Sequence, residues 1–188
     1  SPAFQQAALD YHSLPASYSA WPTPAGRLSD EVSKLRYDEY LGANVTIPHK
    51  ERVRSLLDVV DDWAEEVGAV NTIVKSGRQL IGYNTDAYGF MRSLREKAGF
   101  EPKGKSVLLL GAGGAARSAA FGLAKDGIIS LTIANRTLGR ARKLAEEIQG
   151  SVADVATILM NDASMADAAI GADLIVNATS IGMSHGPG

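Results

Sequence analysis

The sequence predicts an α/β protein in two parts, with an all-parallel sheet confined to the second part, and three observations carry that expectation. From Ser106 onward, short apolar β-prone runs alternate with segments of helical spacing, which is the pattern of βαβ units. Gly111-Ala112-Gly113-Gly114-Ala115-Ala116 stands between one of those runs and the helical segment after it. Before Asp86 the order is different: short strands, a hairpin and isolated helices, so a boundary is expected near Asp86, dividing residues 1–86 from residues 87–188.

In the first part, Ser1-Pro2 pairs an N-cap residue with proline at the first helical position, and Phe4, Ala7, Ala8 and Tyr11 follow at helical spacing. Alternation over Ser17-Tyr18-Ser19-Ala20-Trp21 predicts a short strand, and Pro22-Thr23-Pro24-Ala25-Gly26 a loop. A helix is expected from Leu28 to Leu35. Gly42 to Ile47 reads as a second strand, stopped by Pro48, which then starts a helix carrying Lys50, Val53, Leu56 and Leu57. Asp61 to Val67 reads as a short helix with acidic residues at its positive end. Val70 to Lys75 and Gln79 to Tyr83 are β-rich runs whose link, Ser76-Gly77-Arg78, suits a hairpin.

In the second part, Tyr88 to Ala98 predicts a connecting helix closed by Gly99. A buried strand from Val107 to Leu110, a glycine-rich turn and a helix to Asp126 come next, then a strand from Ile129 to Ala134 and a helix from Leu138 to Gln149. Leu174-Ile175-Val176 supplies a later strand, while Ser151 to Ala172 is too mixed to assign. The path from Tyr83 to Ala87 is the expected hinge.

Composition narrows the function. Of 188 residues 45% are hydrophobic and 21% charged, with 19 Gly and 7 Pro, which is a globular and not a disordered balance. Zero Cys excludes disulfides, thiolate metal sites and cysteine nucleophiles. His12, His49 and His185 match no metal spacing and read as exposed or loop residues; Trp21 and Trp63 read as packing residues. The 19 basic and 21 acidic residues leave a formal charge of -2, so neither nucleic acid nor an anionic membrane is an expected partner. No apolar stretch approaches the ~20 residues of a membrane span, and no leader pattern stands at the N-terminus, which makes the cytoplasm the expected location.

The glycine-rich turn has the context of a dinucleotide fingerprint, which makes the second part a Rossmann-type domain. Gly111 allows the tight turn, Gly113 leaves the backbone open to a pyrophosphate, and Ala116 lets helix and strand approach; Ala112, Gly114 and Ala115 complete the phosphate loop. A glycine-rich connection that binds nothing is the alternative. At the end of the next strand, where an NAD site usually carries an acidic residue, stands Asn135-Arg136-Thr137. A carboxylate there would repel a 2′-phosphate, whereas the Arg136 guanidinium can pair with it, Thr137 can donate to it, and Arg140 one turn later can clamp it. The expected cofactor is therefore NADP.

Polar clusters in the first part ask for more than stability. Asn44 and Thr46 share a strand face with Lys50 beyond its end, and Asn71, Asn84 and Asp86 stand at strand termini. With Asn44-Val45-Thr46-Ile47-Pro48-His49-Lys50, Gly68-Ala69-Val70-Asn71-Thr72, Asn84-Thr85-Asp86, Gly111 to Ala115, Asn135-Arg136-Thr137 and Asn177-Ala178-Thr179 in that order, the sequence resembles the shikimate dehydrogenase family over essentially its whole length.

The resemblance implies reversible NADPH-dependent reduction of 3-dehydroshikimate to shikimate, with Lys50 and Asp86 as the catalytic pair. It implies Ser1, Thr46 and Asn71 as ligands of this small-molecule substrate, and Thr179 near the nicotinamide. It also implies a strand before Ser1 and further elements after Gly188, so the chain is expected to be a fragment with low turnover. Departures are Gln5 and Gln6 where the family commonly has histidine and asparagine, and Ala87 where it more often has glycine. A quinate dehydrogenase using NAD and a non-catalytic NADPH-binding module are the competing readings. A homodimer is compatible with the sequence, which decides nothing about assembly.

Overall fold

The computed structural model describes residues 2–181. Helix α1 (Pro2–Tyr11) buries none of its residues. The strand expected over Ser17 to Trp21 is not formed. Alternation supplies a face but not a partner, and this stretch is tied instead by side chains: Gln6 Oε1 accepts the Tyr18 N–H at 2.7 Å and Asn44 Oδ1 accepts the Tyr18 hydroxyl at 3.0 Å. A 3-10 turn over Ala25–Arg27 leads into α2 (Leu28–Lys34), which buries Leu28 and Val32.

Strand β1 is short, Gly42–Asn44. The helix expected after Pro48 is replaced by turns and a 3-10 segment, Val53–Leu56. The reason is an outside bond: the Lys50 carbonyl, which an α-helix would give to residue 54, accepts the Val70 N–H at 2.8 Å. β2 (Val59–Val60), not foreseen from the sequence, is followed by α3 (Asp62–Val67), whose free N–H groups at Trp63 and Ala64 donate to the Asp61 carboxylate. β3 (Thr72–Ser76) and β4 (Gln79–Tyr83) form the expected antiparallel hairpin. The first sheet runs β1-β3-β4-β2, mixed because β2 joins β4 in parallel.

The connecting helix α4 (Asp86–Ala98) begins at Asp86, and Gly99 closes it with φ of 60°. After it come β5 (Ser106–Leu110), α5 (Gly114–Lys125), β6 (Ser130–Asn135) and α6 (Leu138–Ile148). The unassigned stretch contains β7 (Asp154–Leu159) and α7 (Met165–Ile170), and β8 (Leu174–Asn177) follows. All strand pairs of this second sheet are parallel, in the order β7-β6-β5-β8. The run of small residues in α5 is buried from Ala116 to Ala124, because the helix lies between this sheet and α4. α6 buries the stripe Ala141, Leu144 and Ile148, spaced for one helical face.

The two sheets are joined by more than the chain from Tyr83 to Ala87. Val67 and Ala69, from the first part, belong to the apolar core of the second, and Trp63 packs against it. Buried Arg117 donates from Nε to the Val67 carbonyl at 2.6 Å and pairs with Glu147. Among the described residues no helix is long and apolar enough to cross a membrane.

Candidate active site

The first sheet gathers polar groups at one end, because antiparallel pairing sets the ends of β1 and β4 beside the start of β3. The ladder continues one step past the named strands, with Val45 N–H donating to the Asn71 carbonyl at 2.7 Å and Asn71 N–H to the Tyr83 carbonyl at 3.0 Å. Asn71 is thereby fixed between the Asn44–Thr46 segment and the Thr85–Asp86 helix start. Its amide nitrogen donates to Asp86 Oδ1 at 2.8 Å and to Thr85 Oγ1 at 2.9 Å, while its oxygen accepts the Thr85 N–H at 2.9 Å.

Lys50 meets Asp86 from the other side. Its Nζ donates to Asp86 Oδ2 at 2.6 Å, with the lysine side chain 14% and the aspartate 30% exposed. The Asp86 carboxylate is thus held at both oxygens, with one face left open. Behind it, buried Asn84 accepts the Asp86 N–H at 3.1 Å and donates to the Ala69 carbonyl and to Ser118 Oγ at 2.8 and 2.9 Å. That side chain caps α4 and ties the acid to α5 at once. A chain of bonds also runs outward: Asn44 Nδ2 donates to Thr72 Oγ1 at 3.3 Å, and Thr72 Oγ1 to Asn71 Oδ1 at 3.1 Å.

The glycine-rich turn faces this pair. Gly111 takes φ of +112° and donates its N–H to the Ala134 carbonyl at 2.8 Å, which turns the chain sharply off β5. A Cβ on Gly114 would come 2.9 Å from the Lys50 Cβ, so only glycine lets the lysine stem lie against the start of α5. A Cβ on Gly113, by contrast, would meet nothing within 4 Å. Lys50, Glu51, Gly113, Gly114, Ala115, Arg140 and Ser180 line one cleft of about 550 Å³. A second hollow of about 280 Å³ continues from it past Gly111, Ala112, Gly113, Asn135, Arg136 and Thr179. It lies where the strand order reverses, between β6 and β8 on either side of β5, the place at which doubly wound sheets bind ligands.

Most residues singled out in the sequence are therefore neighbours. Arg136 is exposed at the end of β6 and forms no ion pair among the described residues. Asn135 Nδ2 donates to the Thr137 carbonyl at 2.8 Å, shaping the turn into α6. Thr179 is held by Asn177 Oδ1, which accepts its N–H at 3.0 Å and its hydroxyl at 2.7 Å. Three placements differ from simple expectation. Thr46 is exposed and lines a separate hollow with Asn44, Trp21 and His49. Arg140 donates from Nη2 to Glu51 Oε1 at 2.9 Å, across the cleft. His49 is buried at 7% exposure, with its Nε2 2.7 Å from the Thr23 carbonyl. Ser1 and His185 lie outside the described residues.

Sequence reasoning missed Arg117 and Glu51. A lone arginine in the alanine- and glycine-rich stretch of α5 was a signal for a buried, paired guanidinium; nothing local distinguishes Glu51.

Comparison with known proteins puts a family to this arrangement. Residues 1–73 match the family model for the shikimate dehydrogenase substrate-binding domain, and residues 93–183 the model for shikimate / quinate 5-dehydrogenase. The shikimate dehydrogenase (NADP(+)) of Moorella thermoacetica is 46% identical over 97% of this chain and 62% of its own length. That of Nitrosopumilus maritimus is 40% identical over 98% of this chain and 67% of its own. The chain belongs to the shikimate dehydrogenase family. Among solved structures of that family, shikimate 5-dehydrogenase from Thermus thermophilus in complex with NADP(H) and shikimate superposes with a TM-score of 0.80 at 38% identity, covering 95% of this chain and 63% of that one. This family member thus spans about two thirds of the length of such relatives, 62% and 67% for the two named.

Proposed function

We propose that this chain carries the substrate-binding part, residues 1–86, and the nucleotide-binding part, residues 87–188, of an NADP-dependent shikimate dehydrogenase, which interconverts 3-dehydroshikimate and shikimate. The observation that carries the reading is the Lys50–Asp86 pair at 2.6 Å, whose lysine stem lies against Gly114 at the start of α5, so that Lys50 and the dinucleotide turn line one cleft with Asp86 bonded to the lysine.

The turn fits a dinucleotide: Gly111 makes the sharp bend, Gly113 leaves open space beside the backbone, and the first N–H groups of α5 have no acceptor within their own helix. Gly111 to Ala115 would hold the pyrophosphate. Arg136, Thr137 and Arg140 would hold the 2′-phosphate, Asn135 the turn that presents them, and Thr179 the nicotinamide end. When bound, NADPH supplies the hydride.

Reducing a ketone then needs a proton for the oxygen opposite that hydride. The Lys50 ammonium donates it as negative charge develops, and its restricted exposure strengthens that interaction relative to water. Asp86 keeps the ammonium aimed and accepts from a substrate hydroxyl. Asn71 holds Asp86 and, with both amide hydrogens engaged by Asp86 and Thr85, reaches the same ring by giving up one of those bonds, while Thr46 and Ser1 bind the remaining polar groups. In the oxidative direction the same atoms run in reverse, with the neutral Lys50 amine taking the hydroxyl proton.

The test is a steady-state assay of shikimate and quinate, each against NADP and NAD. Shikimate with NADP should be the fastest combination. Faster quinate oxidation with NAD would replace both substrate and cofactor, and NADP binding without turnover in any combination would make the chain a nucleotide-binding module.

A further inference from the structure

Arg140 has two claims on it. In the structure its guanidinium reaches across the cleft to Glu51 at 2.9 Å, and this is an ion pair between the residue next to Lys50 and the first turn of α6. In the proposed function the same guanidinium clamps the 2′-phosphate of NADP. Arg136, four residues earlier, stands on the nucleotide side with no ion-pair partner among the described residues. Both ends of the Glu51–Arg140 pair are solvated, at 40% and 57% exposure, so it is weak enough to be exchanged for a dianionic ligand.

We propose that Glu51 is a cofactor-specificity residue: it competes with the 2′-phosphate for Arg140, and so tempers the preference for NADP over NAD. This rests on the reading that Arg136 and Arg140 form the 2′-phosphate site. Two effects act in one direction. Binding NADP must first release Arg140 from Glu51, which lowers apparent affinity by the fraction of molecules in which the arginine is free. Once released, the Glu51 carboxylate stands near a doubly charged phosphate and repels it. NAD carries no 2′-phosphate, so the pair stays closed when NAD binds and neither effect operates. An exposed pair of this kind corresponds to a competition of ~2–5-fold.

The experiment is calorimetric titration of this chain with NADP and with NAD, for wild type, Glu51→Gln, Arg140→Gln and the double variant. Glu51→Gln should tighten NADP ~2–5-fold and leave NAD unchanged. The gain should vanish in the Arg140→Gln background, since without the arginine there is nothing to compete for. No change on Glu51→Gln, an equal change for NAD, or a gain that persists without Arg140 would each overturn the proposal. Failure of the underlying reading looks different: wild type would show no preference for NADP, and Arg140→Gln would not weaken it. Both side chains are exposed, and thermal melts of the variants establish that all are folded.

Discussion

Replacing Lys50 with methionine keeps a stem of similar length beside Gly114 and removes the ammonium alone. If that ammonium is the proton donor, kcat should fall by ~10²–10⁴, the range for a positioned general acid. At ~1.36 kcal/mol per factor of ten, this adds about 2.7–5.4 kcal/mol to the barrier. The fold should notice far less. Asp86 is 30% exposed and keeps its 2.8 Å bond from Asn71, so its unpaired carboxylate remains hydrated. The cost of breaking the pair is therefore about 1–2 kcal/mol, between the values for exposed and buried pairs, or a fall in Tm of about 2–8 °C. The assay is NADPH formation at saturating shikimate, run beside a thermal melt and a calorimetric titration with NADP. A folded Lys50→Met variant whose kcat stays within a factor of about three, under ~1 kcal/mol of barrier, would remove Lys50 from the chemistry.

Arg136→Asp should weaken NADP by ~10–100-fold, the worth of charge-assisted hydrogen bonds to a phosphate, and NAD much less; equal losses in the two titrations would point to misfolding instead. Asn84→Ala removes a buried side chain that bonds Ala69, Ser118 and the α4 start, and should cost about 2–4 kcal/mol in urea unfolding, where a change under about 0.5 kcal/mol would discount that network. The Arg36 guanidinium beside Asp58, with help from the Leu80 N–H, holds the Asp58 carboxyl below its ordinary value of 3.8. Because its folded value is depressed, Asp58 contributes stability above that ordinary value, and loses it as pH falls through the folded one. Asp58→Asn should thus be less stable than wild type at neutral pH, with the gap closing below about pH 4; a gap that persists in strong acid would refute the cause.

The legible parts of the fold are those written in local pattern. The stripe at Ala141, Leu144 and Ile148, the leucine run ending at Gly111 and the Ser76–Gly77–Arg78 turn each report a periodicity or a backbone need that neighbours cannot overrule. The misses have a shared cause. Ser17 to Trp21 alternates like a strand but has no ladder to join, and β2 is too short to show a period yet finds one beside β4. The residues after Pro48 have helical spacing, but the Lys50 carbonyl is taken by Val70. The mixed stretch from Ser151 to Ala172 becomes β7 and α7 because β6 offers an open edge for Asp154–Leu159 to extend.

The candidate site divides the same way. By itself the sequence determined which chemical groups are present and at which element ends they stand: Lys50 after a strand, Asn71 and Asp86 at strand and helix starts, glycines between β5 and α5, and a basic rather than acidic residue after β6. These follow from spacing and side-chain chemistry, which are local, although the sequence set Asp86 only at a strand terminus, and the helix start at that residue belongs to the structure. Only the tertiary structure decided that Asn71 and Lys50 grip opposite oxygens of Asp86, that Asn84 and Arg117 fasten the two sheets together, and that Arg140 is already engaged by Glu51. Those pairs are separated by 15 to 89 residues in the chain, and a contact over such a distance is set by sheet pairing and core packing, which no local period encodes.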